Sequence, residues 1–185
     1  MAVKATIYKA DLQISDMDRN YYQSHALTLA QHPSETEERL MVRLLAFALN
    51  AHEYLAFGKG ISTDDEPDLW QKDLTGAIDV WIEVGQPDEQ RIRKACGRAR
   101  QVRVYTYSGR SADLWWEKNS EALERNKNLT VIDIAADAVQ SLAALASRNM
   151  QLQCLVQDAQ VELMDDARSM QIPLTTRKTA QSGAR

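Results

Sequence analysis

Residues 67–86, PDLWQKDLTGAIDVWIEVGQ, decide how this chain folds and where its chemistry could sit. Thr75-Gly76 is suited to a two-residue turn between strand-forming runs, so the stretch predicts a hairpin whose paired residue numbers sum to 151. In that register Trp70 faces Trp81, Lys72 faces Asp79 and Asp68 faces Glu83. Ile78, Val80, Ile82 and Val84 then share the other face as core. Directly opposed residues have Cβ atoms roughly 4.5–5.5 Å apart, which would let the two carboxylates share one hard cation. Asp79 and Glu83 share a strand face but stand about 13 Å apart, too far to hold one ion without a bulge. The register favours Asp68 with Glu83 and gives Asp79 to Lys72. A turn shifted by one residue would bring Asp79 back as a candidate.

Upstream, 3–13 and 21–31 alternate as two long strands, and the polar SDMDRN between them predicts a hairpin. SETEERLMVRLLAFALNAHEYL is the clearest helix. Ser34 is the expected N-cap, with Glu37 completing a capping box, and Leu40, Met41, Leu44, Leu45, Phe47 and Ala48 form the apolar face. GKGIST and the acidic DDEPD read as loop. Downstream, PDEQRIRKACGRARQ begins a second helix, its acids in the first turn and its bases in the last. VRVYTY (102–107) and LTVIDI (129–134) read as strands, ADLWWEKNSEALERN and AADAVQSLAALA as helices, and MQLQCLVQ with AQVELMD as a closing hairpin about Asp158-Ala159. The alternation predicts an α/β (α+β) chain: one domain over 1–174, a mixed sheet flanked by helices, with extra hairpins at both ends. From Thr175 to Arg185 nothing apolar exceeds alanine in size, so 175–185 is expected to be a disordered tail.

A length of 185 residues suits one well-cored domain. No run of apolar residues is long enough to span a membrane, and the alternating N-terminus lacks a signal-peptide core. Two cysteines, Cys96 and Cys154, make no disulfide framework. These features predict a reduced, cytoplasmic protein with no membrane partner. A net charge of −4 argues against binding nucleic acid by bulk electrostatics. The cations cluster nonetheless: RIRKACGRARQVR (91–103) contains no acid, and it reads either as a solvated helix face or as a local phosphate-facing patch, with Arg91 and Arg98 the phosphate candidates. His25, His32 and His52 have no zinc-ligand spacing with the cysteines. No glycine-rich phosphate loop or nucleophile elbow is present, and Trp115-Trp116 reads as core before it reads as a base-stacking platform.

Cleaving a phosphodiester in line needs a cation that neutralises phosphate oxygens and lowers the pKa of an attacking water. Mg²⁺ is usually held by one or two carboxylates and keeps several waters, so Asp68 and Glu83 are candidate ligands for Mg²⁺ or Mn²⁺. Glu83 interrupts the apolar run VWIEVG, and an inward charge needs a partner, either a metal or an arginine of the next helix.

HPSETEERLMVRLLAF, DDEPDLW, GAIDVWIEVGQPDEQRIRKAC, VYTY and LWWEKN together resemble the YaeQ family of bacterial proteins, over essentially the whole chain before the tail. That resemblance implies a fold similar to the PD-(D/E)XK nuclease superfamily, with altered active-site residues. Carried over residue by residue, it makes Pro67-Asp68 the Pro-Asp of the pattern, Glu83 its strand acid and Glu38 the acid of the first core helix. Gly85 stands where the pattern has lysine. Lys94, two turns into the next helix, is the candidate substitute; Gln86 is a weaker one, since an amide orients water but carries no charge. Two functional expectations follow. One is a divalent-metal-dependent nuclease using Glu38, Asp68, Glu83 and Lys94. The other is a catalytically inactive protein of the same fold that binds nucleic acid or a protein partner.

Overall fold

In a computed structural model of the chain, which describes residues 4–59 and 65–183, the deciding hairpin forms from β4 (Leu69–Lys72) and β5 (Ile78–Val84). Leu69↔Ile82, Trp70↔Trp81 and Gln71↔Val80 keep the expected register, and the two indoles meet edge to face at 6.1 Å. A bulge then shifts Lys72 onto Ile78. The turn is longer than two residues: Asp73 N–H donates to Ala77 O (2.9 Å), Gly76 N–H donates to Asp73 O (3.0 Å), and Gly76 takes φ 87°. The expected Lys72–Asp79 pair is therefore lost. Lys72 Nζ lies 3.6 Å from the centre of the Trp70 ring, and Asp79 pairs with Arg100 at 3.2 Å.

The central strands continue through α2 (Glu89–Arg98), β6 (Ala99–Thr106), α3 (Arg110–Leu123) and β7 (Leu129–Ile134). β5, β6 and β7 are parallel, and short β3 (Leu55–Phe57), absent from the sequence reading, adds to β4. The sheet does not end at β7. β11 (Leu174–Lys178) pairs with it antiparallel, giving the order β11-β7-β6-β5-β4-β3. This overturns the disordered tail over 175–178: a polar strand needs no core of its own when a neighbour's open edge supplies its hydrogen bonds. Gln181 N–H also donates to Lys127 O (2.8 Å), tying the following residues down.

The terminal hairpins form a second sheet instead of extending the first. β1 (Thr6–Asp16) and β2 (Tyr21–Gln31) pair antiparallel, and β8 (Asn149–Gln157) joins β1 in parallel. β9 (Gln160–Met164) and β10 (Ser169–Gln171) complete the order β10-β9-β8-β1-β2. The closing turn falls on Asp158-Ala159 as expected, with φ of 53° and 62°. Two sheets replace the single one because α1 (Glu37–Asn50) is buried on almost every side from Leu40 to Ala48. A helix that is apolar all round must be covered all round. One core accordingly joins α1, α4 (Ala136–Ala144), the inner faces of β1 and β8, and residues Leu69, Ile82, Val84 and Tyr105 of the other sheet. A second core lies between α2, α3 and the opposite face of that sheet, around Trp81, Ile92, Val104, Trp115 and Leu129.

α1 starts later than expected. Its N-cap is Thr36, whose hydroxyl accepts from Arg39 N–H at 3.1 Å. Ser34 lies against His32 Nδ1 (2.7 Å), so the Ser34–Glu37 capping box does not form. The reason is Glu35, which is buried beneath the helix by Arg43 and pulls the chain inward. The expected loops GKGIST and DDEPD lie in part outside the described residues, as does Val3 of the first strand. Among the described residues no helix is long and apolar enough to cross a membrane.

Candidate functional site

At the end of β5 the backbone makes the turn that distinguishes this site. Gly85 adopts φ 105° while its N–H donates to Tyr105 O (2.8 Å), which holds the end of β5 against β6. An L-residue is strained there, so glycine at 85 is a backbone requirement, and a lysine would be costly at this position. The following residues open α2: Asp88 is its N-cap, accepting from Arg91 N–H at 2.8 Å.

Asp68 precedes β4, and its N–H donates to Ile82 O (3.1 Å), which sets its side chain beside the end of β5. It is 5% exposed. One carboxylate oxygen accepts from Val84 N–H (2.8 Å) and the other from Arg39 Nη2 (2.7 Å). Glu83 is equally buried; its Oε1 accepts from Trp81 Nε1 (2.9 Å) and from Arg91 Nε (2.7 Å). Burial, and then the charge of Asp68, push the Glu83 carboxyl above its ordinary value, while Arg91 and the Trp81 N–H oppose the rise. The two acids predicted to lie together are thus close enough to feel each other. Each already holds a guanidinium.

The arginines extend the network. Arg39 Nη1 donates to Glu35 Oε2 (2.7 Å), and Arg43 binds the same carboxylate through Nε (2.9 Å) and Nη2 (2.7 Å). Burial works against the charge of Arg39, but Asp68 and Glu35 outweigh it and raise its pKa. Tyr107, which follows β6, lies within reach of Arg39, Glu35, Glu38 and Asp68; burial raises its phenol, and Arg39 opposes the rise. The result is an alternating run of charges, Arg43–Glu35–Arg39–Asp68 beside Glu83–Arg91.

Several candidates sit elsewhere. Glu38 is exposed in the first turn of α1; the buried acid of that segment is Glu35. Gln86 binds Ser111 Oγ across to α3 (3.0 Å). Lys94 is exposed on α2, and no hydrogen bond or ion pair joins it to Asp68 or Glu83. It lines, with Arg91, Arg98, Gln90, Asp88, Asp65 and Trp81, a cleft of about 580 Å³. Arg98 leans over the Trp81 ring at 5.0 Å and donates to Asp65 O (3.3 Å), and Arg91 Nη2 donates to Glu66 O (2.9 Å). Among the described residues neither Lys94 nor Arg98 has a carboxylate partner, whereas Arg93 and Arg100 are paired with Glu89, Asp73 and Asp79.

Glu35, Arg39, Arg43 and Tyr107 were missed from sequence. Arg43 carried a usable signal, a cation breaking the run LMVRLLAF, and Glu35 stands four and eight residues before the two arginines. Both oxygens of Asp68 and Oε1 of Glu83 already accept from N–H donors, and among the described residues no group of three or more His, Cys, Asp or Glu is disposed to hold a metal. As arranged, the residues do not fit one.

Comparison with known proteins places the chain. The YaeQ protein family model matches residues 1–174. The uncharacterized protein YaeQ of Escherichia coli (strain K12) is 45% identical over 95% of this chain and 97% of its own, and that of Salmonella typhi is 44% identical over the same shares. The crystal structure of the YaeQ protein from Xanthomonas axonopodis pv. citri superposes with a TM-score of 0.92 at 52% identity, covering 95% of this chain and 99% of the other. That from Pseudomonas syringae gives 0.91 at 36% identity, covering 95% and 97%. The chain belongs to the YaeQ family.

Proposed function

We propose that this chain is a catalytically silent protein on a nuclease-like fold, and that it binds nucleic acid through the cleft beside α2. The observation that carries the reading is how the cations are spent. Arg39 and Arg91 are held by the buried acids that a metal-dependent phosphodiesterase would use, while Lys94 and Arg98, exposed on the rim of the cleft, have no carboxylate partner among the described residues. A divalent ion at Asp68 and Glu83 would have to displace two charge-assisted hydrogen bonds, the strong kind. Gly85 leaves no lysine on β5 to activate water. What remains is a phosphate-facing surface of Lys94 and Arg98, about one turn apart, some ~6 Å along α2 at 1.5 Å per residue. Neutralising phosphates releases counterions, so such a surface can bind despite an acidic whole.

Labelled single- and double-stranded DNA and RNA oligonucleotides, titrated by fluorescence anisotropy at two salt concentrations, test this. The Lys94→Ala/Arg98→Ala double variant should weaken binding to all sequences alike and flatten the salt slope by about 2, one for each lost phosphate contact. Absence of binding, or affinity indifferent to the double variant, would overturn it. Calorimetric titration with Mn²⁺ is the complement. Saturable binding that disappears in Glu83→Ala would restore the metal-dependent nuclease, with Mg²⁺ or Mn²⁺ between Asp68 and Glu83.

A further inference from the structure

Among the described residues, the outer sheet ends in an edge that no other element pairs with. β2 is eleven residues long, YYQSHALTLAQ, and carries no aspartate, glutamate, lysine, arginine or proline. Its pairing with β1 runs unbroken from Thr6↔Gln31 to Asp16↔Tyr21. Folded chains usually protect long edges with charge, proline, a bulge or a covering segment; β2 has none of the first three. The other sheet edges are short: β10 and β3 have three residues each, and β11 has five.

Among the described residues only the Ala30 end of β2 is covered. Arg43 Nη2 donates to Ala30 O (3.0 Å) from outside the hairpin. Along an antiparallel pair, residues bonded to the neighbour alternate with residues whose N–H and C=O point away. Ala30 is of the second kind, so the outward groups belong to Tyr22, Ser24, Ala26 and Thr28 as well. Those residues are all exposed, and their side chains form the solvent face of the sheet.

We propose that β2 pairs antiparallel with β2 of a second copy of this chain, about a twofold axis at Ala26, joining two five-stranded sheets into one of ten. The occupant is chosen by charge and by apolar match. An uncharged strand meets its own copy with no repulsion directly across the axis, and self-pairing satisfies both edges at once. In this register Ala26 faces Ala26, Ser24 faces Thr28, and Tyr22 faces Ala30. Ala30 is small and its β1 neighbour is Ile7. Tyr22 and Ile7, 53% and 42% exposed in the isolated chain, then cover each other across the axis. A copy shifted by two residues would set Tyr22 beside Thr28 and Lys9 instead.

Sedimentation velocity over a wide concentration range, with Ala26→Pro beside the wild type, reads the association. Proline removes an N–H that β1 does not use, so the variant should fold with unchanged circular dichroism while its dimer dissociates at least 100-fold more readily. Register is read by cysteine. Ala26→Cys should oxidise to a covalent dimer, because opposed Cα atoms lie about 5.5 Å apart. Thr28→Cys should not, because its own copy stands roughly 13 Å along the strand. The wild type, with Cys154 buried and Cys96 half-buried, is the oxidation control. A wild type that stays monomeric at tens of micromolar, a dimer indifferent to Ala26→Pro, or equal cross-linking at 26 and 28 would each overturn the proposal.

Discussion

Asp68 is held from two sides, by the Val84 amide and by Arg39, and this makes it the residue whose charge the site can least lose. Asp68→Asn keeps the shape but leaves Arg39 beside a neutral amide. Breaking a mostly buried pair from one side leaves an uncompensated charge, and the loss of unfolding free energy should be about 3 kcal/mol. Urea denaturation measures it; a loss below about 1 kcal/mol would show that Glu35 alone satisfies the guanidinium. Glu83 behaves in the opposite sense. Its folded pKa lies above 4.5, first through burial and then through the charge of Asp68. The folded state therefore binds this proton more tightly than the unfolded chain does. The stability it adds is complete below pH 4.5 and is lost as pH rises through the raised value. Relative to Glu83→Gln, which cannot titrate, the wild type should lose stability as pH rises from 4.5 through the raised value. Denaturant titrations across that range check it, and a difference that stays flat or grows would contradict the assignment. The positions of these two acids were legible because cross-strand register follows from local pattern. An arginine of the next helix was one of the two partners expected for Glu83, and Arg91 is that arginine; Arg39 was not legible, because it reaches Asp68 from α1, far back along the chain, and such contact is not encoded in spacing.

At the scale of elements, turns and edges separate what the sequence reveals from what it hides. Asp158-Ala159 was recognisable as a turn, yet it places alanine at φ 62°. An L-side chain in that region costs roughly 1–2 kcal/mol, so Ala159→Gly should raise the urea midpoint by about 1 kcal/mol equivalent. Its N–H still donates to Asp18 Oδ2 (2.8 Å), which holds the turn in place. An unchanged or lowered midpoint would show that glycine's extra freedom in the unfolded chain cancels the relief. The hairpin at Thr75-Gly76 was legible as far as Gln71 and no further. Asp73 accepts from both Thr75 N–H (2.8 Å) and Ala77 N–H (3.1 Å), and these bonds favour a longer turn and create the bulge. β11 was missed for a different reason. Its stability comes from β7's open edge and from Arg177, which bonds Asp113 and lies 3.6 Å from Asp133, and none of this is visible in a polar run of sequence. A chain shortened to end at Pro173 should unfold at a lower urea concentration and self-associate through the bared edge of β7; light scattering and denaturation together check this. A truncated chain with wild-type stability would mean that β11 is dispensable.

For the whole molecule, α1 is the element on which cooperativity turns. Its buried residues touch both sheets, so neither sheet keeps its apolar face covered if α1 leaves. The alternative is a protein in two parts, since the second core beneath α2 and α3 shares no buried residue with the first. Two native probes separate these cases. All four tryptophans belong to the second core: Trp81 and Trp115 lie within it, and Trp70 and Trp116 pack against it. Cys154 is buried in β8, on the other sheet, where its thiol is pushed up to about 12 by burial first and the nearby Asp16 charge second. In a Cys96→Ser background, tryptophan emission and the labelling of Cys154 should follow one urea transition, because the six-stranded sheet presents Ile82 and Val84 to α1 on one face and Trp81 and Val104 to α2 and α3 on the other. Leu44→Ala, at the centre of α1, should move both probes together by about 3 kcal/mol. Labelling that precedes the emission change would mean that the outer sheet opens alone. The basic cleft beside α2 would then keep its shape while the β2 edge was lost, and the proposed nucleic-acid binding would survive conditions that abolish the proposed self-pairing.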